Sequence, residues 1–239
     1  RIIRTTIGLR PHRPSGFVLR ADKLDAKLLI HNFGHGGSGM SLSWGTASMA
    51  TDLALPHAER KAAVLGSGVV GLTSARELQR HGFEVTIYAA TVPPDTTSNM
   101  SLAGWTPTSG LVETNLRTAA WDAQCREAAR IAYRRLQLLI GQKYGVTWVP
   151  QYQPTDTNQP PTPTANPLLP EEFSGPRVML GPGEHPFARL SAYRNSFAHG
   201  SFQSVVGDIR HHRELLEAQL VDWPGTLLLV SHDRRFLDH

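Results

Sequence analysis

The segment Gly66-Ser67-Gly68-Val69-Val70-Gly71 constrains this chain more than any other, because of what stands on either side of it. It follows the apolar run Ala62-Ala63-Val64-Leu65 and opens the amphipathic stretch Leu72 to Arg80. That is G-x-G-x-x-G in the strand-to-helix setting. The first glycine permits the tight turn, the second lets a pyrophosphate approach the backbone, and the third lets helix and strand pack closely. The helix start adds N–H groups without intrahelical partners and a partial positive charge. The spacing predicts a dinucleotide site, against the blander alternative of a tight βα turn. A P-loop would need Lys after the last glycine, where Leu72-Thr73 stands.

A second unit of the same kind precedes it. Leu28-Leu29-Ile30 is a short apolar run, Gly34 to Gly39 a glycine-rich turn, and Met40 to Leu53 a helical stretch, while Glu84 to Tyr88 supplies a third strand. Strand, helix, strand, helix, strand predicts an α/β fold built on a Rossmann-like, doubly wound parallel sheet, since parallel strands need a crossover and a helix supplies it. Both glycine turns then fall at the carboxyl ends of strands, where open α/β sheets bind ligands. The acid expected about 20 residues after the fingerprint to hold a ribose is missing, since the third strand runs on into Ala89-Ala90-Thr91. No Arg replaces it, which weakens NAD and NADP and leaves FAD. His31 and His35 bracket the second turn, but glycine turns do not hold helical i, i+4 geometry and no third ligand is near, so no metal is expected. Gly37-Ser38-Gly39 lacks the outer spacing of a nucleophile elbow.

The 239 residues suit one or two domains, and 40% hydrophobic with 18% charged residues is a globular balance. No apolar run approaches the roughly 18 residues that cross a bilayer, so no membrane partner is expected. A net charge of +4 comes from scattered Arg and suits an anionic small molecule as well as nucleic acid; no nucleic-acid partner is expected. Cys125 is the single cysteine. With Arg1 first and no leader visible, a fragment or processed, cytoplasmic form is expected. Residues 1–55 and 56–149 read as two segments of the nucleotide-binding unit. Residues 150–187 form a Pro-rich linker, and 188–239 a divergent tail with a helix at His211 to Leu220 and a strand at Thr226 to Val230. The helix Trp121 to Leu139, with Ala128, Ile131, Ala132, Leu136 and Leu139 on one stripe, reads as core packing.

Two groups of residues resemble the D-amino-acid oxidase family of FAD-dependent oxidoreductases, together with D-aspartate oxidases. Gly8-Leu9-Arg10-Pro11-His12-Arg13-Pro14, Ile30 to Gly39 and Trp44-Gly45 resemble that family's carboxyl-terminal part. The segment from Ala63 to Pro107, with the Gly-Ser-Gly-Val-Val-Gly turn, Thr96-Thr97-Ser98 and Ala103-Gly104-Trp105-Thr106-Pro107, resembles its amino-terminal FAD half. The order is inverted, as in a circular permutant, and the family shares the missing ribose acid.

The resemblance implies that Gly66, Ser67, Gly68, Val69, Val70 and Gly71 hold the FAD pyrophosphate. Thr97 and Ser98 bond phosphate or ribitol, and Ala103, Gly104, Trp105 and Thr106 lie along the flavin ring. Gly36, Gly37, Ser38, Gly39, Met40 and Ser41 wrap its pyrimidine end. Arg10 pairs with a substrate carboxylate through two prongs, a geometry that suits guanidinium, and the Gly37 carbonyl accepts from the substrate amine. The implied activity is oxidative deamination of D-amino acids by hydride transfer to flavin, with oxygen as reoxidant. The alternative is an FAD-binding fragment without turnover, because the family's β-rich substrate domain has too few residues left to form it. Leu215 to Leu237 resembles the switch-histidine region of ABC-F type ATPases; without a P-loop Lys, His232 has no nucleotide to sense, so this end is expected to be foreign or shifted.

Overall fold

The computed structural model describes residues 7–101, 103–148, 166 and 168–169, and the backbone of 208–210 and 226–229. Strands β1 (Val18–Leu24) and β2 (Lys27–Phe33) form an antiparallel hairpin, Val18 opposite Phe33. Helix α1 (Gly39–Ala54) leads to β3 (Lys61–Leu65), and α2 (Val69–Arg80) leads to β4 (Glu84–Tyr88). Two short 3-10 turns, Thr97–Met100 and Thr114–Leu116, precede α3 (Ala119–Leu138). The short strands β5 (Asp208–Arg210) and β6 (Thr226–Leu229) complete one sheet in the order β1-β2-β6-β3-β4-β5. All pairs except β1 with β2 are parallel.

The three expected strands and two crossover helices are present, with α1 and α2 each beginning a residue or more earlier than the apolar pattern suggested. The neighbour relation differs. β2 and β3 are not paired with each other; β6 lies between them, Leu228 opposite Ile30 on one side and Val64 on the other. The hairpin strand β1 is also unannounced by periodicity, since Arg20, Asp22 and Lys23 make it polar. The expected helix at His211 to Leu220, His232 and all of the Pro-rich stretch but 166, 168 and 169 lie outside the described residues.

Ala62, Val64 and Ile87 are fully buried in the parallel strands, as a sheet covered by crossover helices requires. Helix α1 packs against both α2 and α3. Its approach to α3 depends on Gly45, where a Cβ would lie 1.8 Å from the Ala128 carbonyl oxygen. The buried stripe of α3 is Cys125, Ala128, Ala129, Ala132 and Leu136, while Ile131 and Leu139 are only half-buried. Small residues on both helices let the backbones come close, and Arg135 closes the gap by bonding Glu77 of α2 at 3.0 Å while lying over the Trp44 ring.

Candidate functional site

The fingerprint turn has the geometry its glycines predict. Gly66 sits at φ +113°, in the region that disfavours a side chain, and donates its N–H to the Tyr88 carbonyl at 2.7 Å. A Cβ at Gly71 would lie 2.0 Å from the Gly66 carbonyl oxygen, so helix and strand touch there. Gly68 is the residue before α2, and the first turn of α2 carries no acidic side chain to oppose an anion. At Gly68 a Cβ would meet only the Ser98 hydroxyl, 3.1 Å away. The Val69 N–H donates to that same Ser98 Oγ at 2.8 Å, and the Ser67 hydroxyl donates to the Thr91 carbonyl. The turn therefore brings the start of α2 and the Ser67 and Ser98 hydroxyls to one place, with the Gly66 and Val69 N–H groups and the Ser67 hydroxyl bonded within the protein.

The second turn is held from two sides. Gly34 and Gly36 have positive φ, and the Gly36 N–H donates to Pro11 at 3.0 Å. Gly37 donates to Gly110 at 3.2 Å. A Cβ at Gly36 would lie 2.1 Å from the Gly110 oxygen, and one at Gly37 2.4 Å from the Ser109 oxygen. Ser38 Oγ reaches the Thr106 and Ser109 carbonyls at 3.1 and 3.0 Å. Ser41 Oγ donates to the Gly104 carbonyl at 3.2 Å and accepts from the Thr106 N–H at 2.8 Å, so the peptides flanking Trp105 are pinned to the start of α1. Ala103 just before them has φ +57°, an uncommon conformation for a residue with a Cβ.

The two turns meet. Met40 shares a crevice with Ser67, Val69, Leu72, Pro93, Thr96, Ser98 and Asn99, and a Cβ at Gly39 would lie 3.9 Å from Val69 Cγ1. Arg10 is exposed, and its Nη1 lies 2.8 Å from where a Cβ of Gly37 would stand. Of the expected site residues, Gly36 to Ser41, Gly66 to Val69, Ser98, Gly104, Thr106 and Arg10 cluster about these turns. Gly71 acts in packing, Val70 is buried in the core, and Thr97 turns toward Gly8.

The histidine of the second turn is a packing residue. His35 is fully buried, stacks on Phe17 at 5.3 Å, and bonds the Thr46 hydroxyl at 3.0 Å. It fixes the turn onto α1. Spacing also left out Ser109 and Gly110, whose carbonyls close the turn; the Ser-Gly dipeptide is the only local signal for them. His31 is held by Asp22 Oδ2 at 2.9 Å, yet burial outweighs that attraction and lowers its pKa from the ordinary 6.5.

Residues 61–194 match the DAO family model, described as FAD dependent oxidoreductase. Among curated proteins, a D-amino-acid oxidase of Streptomyces coelicolor is 41% identical over 54 residues, 23% of this chain and 17% of that protein. A D-amino-acid oxidase of Rubrobacter xylanophilus is 43% identical over 54 residues, with the same shares. A D-aspartate oxidase of Talaromyces thermophilus is 40% identical over 55 residues, 23% of this chain and 15% of that protein. The chain thus matches about a sixth of the length of these relatives. No solved structure gives a significant match.

Proposed function

The chain belongs to the DAO family of FAD dependent oxidoreductases, and from that premise we propose that it oxidises D-amino acids, taking a hydride from the α-carbon and leaving an imine that water hydrolyses to a keto acid. FAD is the family's cofactor, and the anion-ready turn at Gly66 to Gly71 fits its pyrophosphate. When bound, the flavin supplies the two-electron acceptor, and oxygen takes the electrons on. The inverted order of the two motif groups is part of the same proposal: the amino-terminal segment supplies what a conventional relative carries near its carboxyl end.

The chain's own residues bind and align. Gly66, Ser67, Gly68 and Val69 would hold the pyrophosphate with the N-terminal dipole of α2 behind them, and Ser98 would exchange its bond to Val69 for one to the cofactor. Gly36 to Ser41 would take the pyrimidine end, with Ser38 and Ser41 keeping 103–106 along the ring. Arg10 would pair with the substrate carboxylate, and the Gly37 carbonyl would accept from the amine. Alignment is the whole task, because the neutral amine's electron pair drives hydride departure without a protein base.

The observation that carries this reading is Arg10 lying against Gly37 while Met40 and Val69 line one crevice. It is tested by adding FAD to purified protein, recording flavin absorbance, and then adding D-amino acids without oxygen. Retained yellow colour that a D-amino acid bleaches is expected, and Arg10→Leu should weaken the bleaching by about 2–3 kcal/mol of substrate binding, as loss of a charge-assisted hydrogen bond implies. Bound flavin that none of them bleaches would instead mark a binding-only fragment, and no bound flavin would overturn both.

A further inference from the structure

The crevice between the two glycine turns is uncharged. None of the described residues lining it is ionisable, and Asp95, next to Thr96 in sequence, is exposed and stands outside it. A diphosphate there would be met by neutral donors, and most of these already have acceptors. The Val69 N–H donates to Ser98 Oγ at 2.8 Å, the Ser67 hydroxyl to the Thr91 carbonyl, and the buried Thr96 hydroxyl to Asn99 Oδ1 at 2.7 Å. Asn99 differs. Its backbone N–H donates to the Thr96 carbonyl at 3.0 Å, so main chain and side chain are both tied to Thr96. An amide nitrogen carries two donors, and at Asn99 neither has an acceptor among the described residues. With Oδ1 engaged, the donor end is left for the crevice that Asn99 lines. Gly68 leaves the approach open, since a Cβ there would meet only Ser98 Oγ, the neighbouring hydroxyl. Thr97, expected to bond phosphate, is not among the crevice residues and turns toward Gly8; Asn99, two residues on, stands there instead.

We propose that Asn99 is a further cofactor-binding residue, its Nδ2 donating to a pyrophosphate oxygen of FAD. The proposal rests on the reading above, in which that pyrophosphate lies at Gly66 to Val69. A hydrogen bond to an ionised acceptor is about twice as strong as one between neutral groups, and with no cation in the crevice such bonds are what holds the anion. Thr96 is the positioning residue. Because it orients the amide before the ligand arrives, binding is spared the cost of ordering that side chain.

The test is titration of the full chain with FAD, followed by flavin fluorescence, beside the variant Asn99→Asp. Aspartate keeps the oxygen that Thr96 bonds, removes both amide protons and sets a carboxylate against the diphosphate. The dissociation constant is expected to rise about ten- to hundredfold. It should rise likewise for ADP, which carries the diphosphate without the flavin, and recover as pH falls and the carboxyl regains a proton to donate. Thr96→Val should raise it by a smaller factor, which Thr96→Ser restores. Circular dichroism, unchanged between variants, shows that each is folded. Unaltered protein that binds FAD and an Asn99→Asp variant that binds it equally well overturn the role of Asn99 alone, as does a loss for FAD that ADP does not share. Unaltered protein that binds neither FAD nor ADP sinks the pyrophosphate reading and the role of Asn99 with it.

Discussion

At the scale of single residues, Gly71 and His31 show which contacts decide. Gly71→Ala places a Cβ 2.0 Å from the Gly66 oxygen, a backbone atom that has nowhere to go. Overpacking of that kind costs about 1–3 kcal/mol, against about 1 kcal/mol regained from helix propensity, so the net change is destabilising. The expected outcome is a lower urea midpoint and weaker FAD binding by absorbance titration. His31 acts through pH. Burial lowers its folded pKa below the ordinary 6.5, with Asp22 opposing and Arg20 assisting that shift. Because the unfolded chain takes up the proton first, the contribution of His31 is intact above 6.5 and is lost as pH falls from there through the lower folded pKa. Asp22→Asn removes the opposing attraction, lowers the folded pKa further and steepens the acid loss; NMR titration of the His31 ring checks this. The roles proposed for Arg10 and Gly37 rest on motif resemblance, because a lone exposed arginine and one glycine have no period of their own.

Among the elements, the strand-turn-helix units could be read because apolar run, glycine cluster and amphipathic stretch all agree. β1 could not, since its outward face carries Arg20 and Asp22 and only the hairpin partner β2 reveals it. The polar contacts that hold 103–110 over the second turn were equally hidden, because Ser38 and Ser41 look like ordinary helix-start residues until the distant carbonyls are placed. Helices α2 and α3 are coupled by a charge that periodicity does not show. Glu77 is 2% exposed and is held by Arg135 at 3.0 Å and by the more exposed Arg80 at 3.5 Å. Arg135→Met leaves that carboxylate with its weaker partner. Removing one member of a buried pair costs about 3–5 kcal/mol; with Arg80 remaining, a loss near the lower figure is expected in chemical denaturation. Cys125, on the buried stripe of α3, has its thiol pushed up to about 12 by burial. It should resist alkylation at pH 8 in the folded protein and react once denaturant opens the helix, which mass spectrometry would report.

For the molecule as a whole, the sheet is assembled from distant parts of the chain. β6, at 226–229, fills the place between β2 and β3, and β5, at 208–210, extends the far side beyond β4. The sequence marked a strand near Thr226 but held no clue to its neighbours, because strand order is set by tertiary pairing that local pattern does not encode. A chain cut after residue 207 therefore loses the strand that hydrogen-bonds to both turn-bearing units. It is expected to aggregate through the exposed edges of β2 and β3 and to bind FAD far more weakly, as size-exclusion chromatography and flavin titration would show.

The central place of β6 has a consequence for how the protein comes into being. On the ribosome, both glycine turns emerge long before the segment that ties their strands together, so the nascent polypeptide must wait with two open sheet edges. Pairings that span so much sequence close slowly, and a holding chaperone or early capture of the nucleotide would shield those edges until the last strand arrives.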